Sequence, residues 1–312
     1  MILAGIPSPG VSSFSLGPLT IHVYTLCILV GIGVALWWAM RRWEARGGDG
    51  DELFDIAFVA IILGIIGARI YHVITSPDAY FGPGGDPVRA LYIWEGGLGI
   101  WGAVMLGAAG AWVMARRKRV SFAVLADSIA PTLMVAQAIG RLGNWFNQEL
   151  YGGPTALPWG LDITCVTNGA RIPGCTPGTY HPTFLYEALW NLAGCAVLIW
   201  CERRFRLGGG RVFWGYVAIY TSGRLWIEMM RTDFAHTILG LRVNAWVSLL
   251  ILALALAMLV LLSARRRRLG TEAHRAHDGQ PDRAVVSETP DTVMTSASHD
   301  TDGEISDRGR RR

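Results

Sequence analysis

The stretch Phe122-Ala-Val-Leu-Ala-Asp-Ser-Ile-Ala-Pro-Thr-Leu-Met-Val-Ala-Gln-Ala-Ile-Gly140 runs directly into Arg141-Leu-Gly-Asn-Trp-Phe-Asn-Gln-Glu-Leu-Tyr-Gly152. The first part has the length of a membrane span, since about 20 helical residues cross a ~30 Å hydrocarbon core. The second is dense in polar groups, and an arginine at membrane depth costs about 2.5–3.5 kcal/mol on insertion scales. Such groups persist there only where they face protein, water or a polar ligand. Arg141, Asn144 and Gln148 stand at i, i+3 and i+7, so a helix continuing through them aligns all three on one face. Gly143 removes bulk beside Arg141 and permits close approach to the backbone. The pattern predicts a membrane helix that opens at its end into an anion site.

Working outward, further apolar spans cover Ile21–Met40, Leu53–Tyr71, Gly96–Ala115, Pro182–Trp200, Val212–Met230 and Ala245–Leu262. Half of the chain is hydrophobic and only 17% is charged, while 13 tryptophans and 9 tyrosines suit interfacial belts. The expected fold is all-α, a polytopic membrane protein with seven transmembrane helices. Basic clusters follow the first, third, fifth and seventh spans, at Arg41-Arg42, Arg116 to Arg119, Arg203-Arg204 and Arg265 to Arg268. The positive-inside rule places those connections in the cytoplasm, with the N-terminus outside and the C-terminus inside. The first twenty residues lack Lys and Arg, so an uncleaved start is expected rather than a cleavable signal peptide.

Residues 1–264 then form one membrane domain with an outer loop at about 151–181, and residues 265–312 a basic, polar cytoplasmic tail. The tail has too few large apolar groups to bury a core and is expected to be disordered. In the outer loop, Cys165 and Cys175 face an oxidising compartment that permits a disulfide. Cys27, Cys195 and Cys201 read as small hydrophobes. No CxxC, HExxH or His/Cys cluster points to a metal, and nothing calls for a cofactor or a nucleic-acid partner.

A second polar stripe lies on the sixth span, where Tyr220, Arg224, Glu228 and Arg231 stack on one helical face. Glu228 and Arg231 fit either a structural ion-pair network or a site. Arg224 adds to Arg141, and two guanidiniums against one evident carboxylate leave positive charge for a bound anion. Weaker signals converge on the same half of the bundle. They are His22 and Tyr24, Arg69 with Tyr71 and His72 (Arg69 being able to snorkel, with a structural role expected), Glu95-Gly96-Gly97, and His181-Pro182 with Glu187. Buried charged stripes also suit a lipid transporter or flippase, which needs a polar route to both faces.

The pattern Gly140-Arg141-x-Gly143-Asn144-x-x-Asn147-x-Glu149-x-x-Gly152 resembles the signature of the bacterial phosphatidylglycerol–prolipoprotein diacylglyceryl transferases. His22-x-Tyr24, Glu95-Gly96-Gly97, His181 to Glu187 and Tyr220…Arg224…Glu228…Arg231 follow in the family's order, and the similarity runs from about residue 15 to residue 264. The resemblance implies an inner-membrane enzyme acting at the outer face. It implies transfer of the diacylglyceryl group of phosphatidylglycerol to the lipobox cysteine thiol in a prolipoprotein signal peptide, leaving a thioether and glycerol phosphate. It further implies that Arg141 binds phosphatidylglycerol, that Arg224 is essential, and that Tyr24, Asn144, Glu149, Gly152, Tyr220 and Glu228 matter. In this scheme Arg141, Asn144, Asn147, Gly152, Glu95, Gly96 and Gly97 form the lipid site, with Glu149 and Glu228 holding the arginines. Two positions depart from the pattern. Trp101 stands where many members carry a histidine proposed as general base, and Trp145 where Phe is usual. Tyr24, His22 and the substrate phosphate remain as proton acceptors.

Overall fold

The computed structural model describes residues 5–17, 19–233 and 237–269. Eight α-helices lie among them. They are α1 (Val23–Glu44), α2 (Gly50–Thr75), α3 (Asp78–Phe81), α4 (Ile100–Arg117), α5 (Phe122–Asn147), α6 (Thr183–Phe205), α7 (Arg211–Met230) and α8 (Val243–Leu269). The count exceeds the expected seven because α3 forms a single turn after α2. Five helices, α1, α2, α5, α6 and α8, are long and apolar enough to cross a membrane. The other two long helices are diluted, α7 by Arg211, Arg224 and Glu228, and α4 by three glycines and the closing Arg116-Arg117.

Local chemistry sets the helix starts. The Asp49 carboxylate accepts from Asp51 N (3.0 Å) to cap α2, and Ser121 caps α5 through Val124 N. The third span begins four residues later than expected, at Ile100, because Gly96 (φ 85°) and Gly97 (φ 68°) adopt left-handed conformations that break a helix. Arg69 fixes this turn. Its Nε donates to Ala90 O (2.8 Å), and one terminal nitrogen donates to Gly96 O (2.7 Å) and Gly97 O (3.1 Å). Arg69 is 7% exposed and folds inward onto carbonyls, the structural role expected of it.

The helices pack as neighbours in layers. α2 and α4 meet along glycines, where a Cβ on Gly67 would lie 2.3 Å from Gly102 O and one on Gly102 only 2.0 Å from Gly67 O. Small residues let backbones touch in this way inside a membrane. Trp43, Leu53, Ile56 and Leu125 form a core among α1, α2 and α5, and Met134, Cys195, Leu198 and Val212 one among α5, α6 and α7. α1 and α8 leave most of their apolar length exposed, as lipid-facing helices must.

The all-α expectation omits nine short strands found among the described residues. β1 (Ile6–Pro7) pairs in parallel with β4 (Leu161–Ile163), which pairs antiparallel with β7 (Gly178–Tyr180). Hairpins join β2 (Ser13–Leu16) to β3 (Leu19–His22), β5 (Val166–Thr167) to β6 (Ala170–Arg171), and β8 (Thr237–Ile238) to β9 (Leu241–Arg242). The 151–181 loop is therefore an ordered cap whose Leu161, Ile163 and Cys165 pack on Phe184 of α6. At the opposite end, Glu202 pairs with Arg42 (2.8 Å) and with Arg46, joining α6 to α1. Asp127 there accepts from Gly210 N (2.8 Å) and Phe213 N (2.9 Å), fixing the start of α7. α8 continues through Arg265 to Leu269, so the tail boundary expected at residue 265 falls inside a helix. Residues 270–312 lie outside the described residues.

Candidate functional site

Arg141 near the end of α5, Glu187 in the first turns of α6 and Arg224 in α7 converge at the end of the bundle away from Glu202. Arg141 Nε lies 2.6 Å from Glu187 Oε2, and Arg224 reaches Glu187 Oε1 at 3.4 Å. One carboxylate thus serves two guanidiniums from two other helices. The Glu187 side chain is 6% exposed while those of Arg141 and Arg224 are 20% and 19% exposed, so the arginines form the open side of the cluster.

Each arginine has a second side-chain partner. Arg141 donates to Asn144 Oδ1 (3.3 Å), and Asn144 Nδ2 donates to Glu149 Oε1 (2.8 Å), which also accepts from Asn147 (3.1 Å). Glu149 therefore holds the two asparagines, and Glu187 takes the arginine-holding place expected for Glu149. Arg224 also meets Glu228 Oε2 at 2.8 Å. Glu228 is fully buried, near Arg231 (3.6 Å) and Arg242 (3.3 Å), and it accepts from Asn244 (3.1 Å). Arg231 and Arg242 then share Asp233. Partial burial pushes the Asp233 carboxyl up, but the two guanidiniums outweigh it and hold the group below the usual carboxylate range. Four guanidiniums thus meet three carboxylates, which replaces the expected balance of two against one.

The remaining expected residues take varied places. A Cβ on Gly143 would lie 2.4 Å from Tyr24 Cδ2, so the glycine seats the Tyr24 ring at the top of α1 beside Arg141. Tyr220 stacks on Tyr216 with ring centroids 6.0 Å apart, one turn below Arg224. Gly152 N donates to His181 O (3.0 Å), and a Cβ there would strike His181 Cβ at 2.8 Å, so Gly152 lets the cap pass close to α6. Gly96 and Gly97 belong to the turn held by Arg69, with His72 against Gly97. His22 precedes α1 as the last residue of β3, and His181 Nδ1 lies 3.3 Å from Tyr186 Oη. Trp101 stands in the first turn of α4, 41% exposed, and Trp145 donates to Pro7 O (3.1 Å).

Gln148 departs from the expected face. The helix ends at Asn147, and Gln148 turns left-handed (φ 52°), carrying its side chain into the cap. There its Oε1 accepts from Thr164 N (3.1 Å) and Cys165 N (3.0 Å), and its Nε2 donates to Val166 O (2.8 Å). Cys165 is disulfide-bonded to Cys175 across a Cα separation of 5.6 Å.

A family model described as prolipoprotein diacylglyceryl transferase matches residues 12–261. The chain belongs to this family. It is 54% identical over 268 residues to phosphatidylglycerol–prolipoprotein diacylglyceryl transferase 2 of Streptomyces coelicolor, covering 85% of this chain and 83% of that relative. The corresponding transferase of Bifidobacterium adolescentis is 50% identical over 274 residues, covering 84% and 81%. That of Rhodococcus jostii is 49% identical over 290 residues, covering 90% and 80%. The chain is a transferase. Glu187 is only a weak signal in the sequence, and Arg242 and Asn244 give none. Only the spatial neighbours of α6, and the turn that returns the chain beneath Glu228, reveal them.

Proposed function

We propose that this transferase moves the diacylglyceryl group of phosphatidylglycerol onto the lipobox cysteine of prolipoproteins, the first step of lipoprotein maturation, at the Arg141–Glu187–Arg224 cluster. The observation that carries this reading is the pair of partly open guanidiniums sharing one carboxylate. Arginine forks match phosphate oxygens in shape and charge, and a water-poor site strengthens both. The thiolate sulfur attacks the glycerol carbon that bears the phosphate ester. A C–S bond forms, the C–O bond breaks, and its electron pair leaves on the phosphate held by Arg141 and Arg224. Glycerol phosphate departs as a monoester, whose second pKa of about 6 resembles that of other phosphomonoesters. That group takes up the thiol proton near neutral pH. Trp101 has a donor-only indole and plays no base role. Asn144 and Asn147, tied to Glu149, steady Arg141, Tyr220 faces the head group, and Tyr24 walls the lipid path.

The topology we propose is seven membrane helices with the N-terminus outside. The last turns of α1, α4 and α6 all carry arginines, and Glu202 ties α6 to α1 at that basic end. The positive-inside rule then sets the cluster at the outer face of a bacterial inner membrane.

The test is direct. Purified protein is mixed with phosphatidylglycerol and a lipobox peptide, and the thioether is sought by mass. Product is expected, and its absence in every lipid composition overturns the reading. Arg141→Lys is expected to lose about 100-fold or more at normal membrane levels, because an ammonium lacks the fork. Full activity in that variant would make Arg141 a simple electrostatic anchor.

A further inference from the structure

One turn below the ionic cluster, its three helices repeat the arrangement with neutral groups. Gln137 lies four residues before Arg141, Asn191 four after Glu187 and Tyr220 four before Arg224, and positions four apart share a helix face. Contacts bear the register out. Gln137 Nε2 lies 2.9 Å from Tyr216 Oη of α7, and Tyr216 stacks on Tyr220. One turn beyond Asn191 on the same face, the Cys195 thiol donates to Pro131 O of α5 (3.4 Å).

Two side-chain oxygens in this layer have no donor among the described residues. Asn191 is 2% exposed, and its Nδ2 donates to Glu187 O (2.9 Å), which fixes the orientation of the amide. Its Oδ1 is then buried with no donor among the described residues, and Gln137 Oε1 is in the same condition. Buried polar atoms are almost always partnered, and those that are not call for an explanation. The two acceptors lie one helical turn, about 5.4 Å along the axis, below Arg141 and Arg224, where a ligand that brings two donors would satisfy both.

We propose that Gln137 and Asn191 accept the two hydroxyls of the glycerol head group, with the phosphate a turn above them between Arg141 and Arg224. The inference rests on phosphatidylglycerol being the donor lipid and deepens that reading by naming what reads the head group. Glycerol brings two O–H donors to two neutral acceptors. A site built on hydrogen bonds to hydroxyls discriminates strongly against the analogue that lacks them.

The test compares two donor lipids with identical acyl chains, phosphatidylglycerol and phosphatidylpropanol, which has no head-group hydroxyl. Full-length protein in lipid nanodiscs is assayed with one lipobox peptide. Wild type is expected to prefer phosphatidylglycerol by about 10-fold or more in kcat/KM. Asn191→Leu and Gln137→Leu are each expected to lose about 10-fold with phosphatidylglycerol and to stay within about 2-fold of wild type with phosphatidylpropanol. The ratio between lipids within one preparation does not depend on how much protein is folded. An equal fall with both lipids, or a wild type that uses both equally, overturns the inference and leaves the layer to packing or water. No thioether from either lipid in wild type removes the donor assignment itself, and the inference with it.

Discussion

Both ends of the bundle bury arginines against glutamate, but the arginines at the two ends hold on to different things. At the basic end, Arg42 donates to Ser128 O (2.9 Å) and Asp127 O (3.2 Å), and Arg46 to Arg42 O (2.9 Å), besides pairing with Glu202. At the other end, Arg141 and Arg224 bind side chains alone among the described residues: Glu187, Asn144 and Glu228. A backbone carbonyl is fixed by its helix, whereas a carboxylate on a side chain can turn aside by changing rotamer. Backbone-held guanidiniums lock the structure, and side-chain-held ones can change partner. By that criterion Arg69 and Arg242, both bound to carbonyls, are scaffold.

The largest expected effect is at Glu228, fully buried beside three arginines. Glu228→Ala should cost about 3–5 kcal/mol of stability, as removing one partner from a buried ion pair does, and abolish turnover. Glu202→Ala, the equivalent cut at the basic end, should destabilise less because its pairs are partly solvated and backbone carbonyls remain. Its activity per folded molecule should match wild type. Thermal unfolding in detergent with activity normalised to folded protein measures both, and lost specific activity in the Glu202 variant breaks the comparison.

Next in size is the cap. Replacing Cys165 and Cys175 together with Ser should cost about 2–3 kcal/mol locally, the loop-closure value for so short a loop. Turnover should change less than stability, since Gln148 still holds the loop. Protease nicking within residues 165–175 reports the loosening, and an unchanged nicking rate sinks the claim.

A smaller effect concerns pH. Asp233 has a lowered folded pKa, so its pairing with Arg231 and Arg242 stabilises above its unfolded value of about 3.9 and is lost as pH falls through the folded value. Wild type should therefore unfold at higher temperature than Asp233→Asn at neutral pH, with the gap closing below about pH 4. A gap that persists in acid would mean the aspartate acts by shape alone. The smallest change belongs to Trp101, where Phe should shift stability by no more than about 0.5 kcal/mol. Trp101→His should add no new limb near pH 6–7 to the rate profile, and a clear gain there would expose a vacant base position.

The sequence carried the helices and half of the cluster, for identifiable reasons. Arg141, Arg224, Glu228 and Arg231 were legible because charge inside an apolar span is costly and the helical period puts it on a face. Glu187 was not, since periodicity within α6 cannot say that its face looks at both α5 and α7. Gln148 misled because a helix continued through it would have kept it beside Arg141, whereas one left-handed residue swings it into the cap. Arg242 and Asn244 belong to another element, and only the return of the chain brings them under Glu228. The strands of the cap escape a sequence reading because each is two or three residues long, and β4 finds its partner β1 far back in the chain.

The sharing of Glu187 also bears on how an anion is received. The cluster is never an empty positive hole, because its arginines already hold a carboxylate. On the proposed reaction, an arriving phosphate would compete with Glu187 for the donors of Arg141 and Arg224. The resting protein is thereby spared a naked cation in lipid. If the proposed reaction holds, the same glutamate would compete with the phosphate when it leaves.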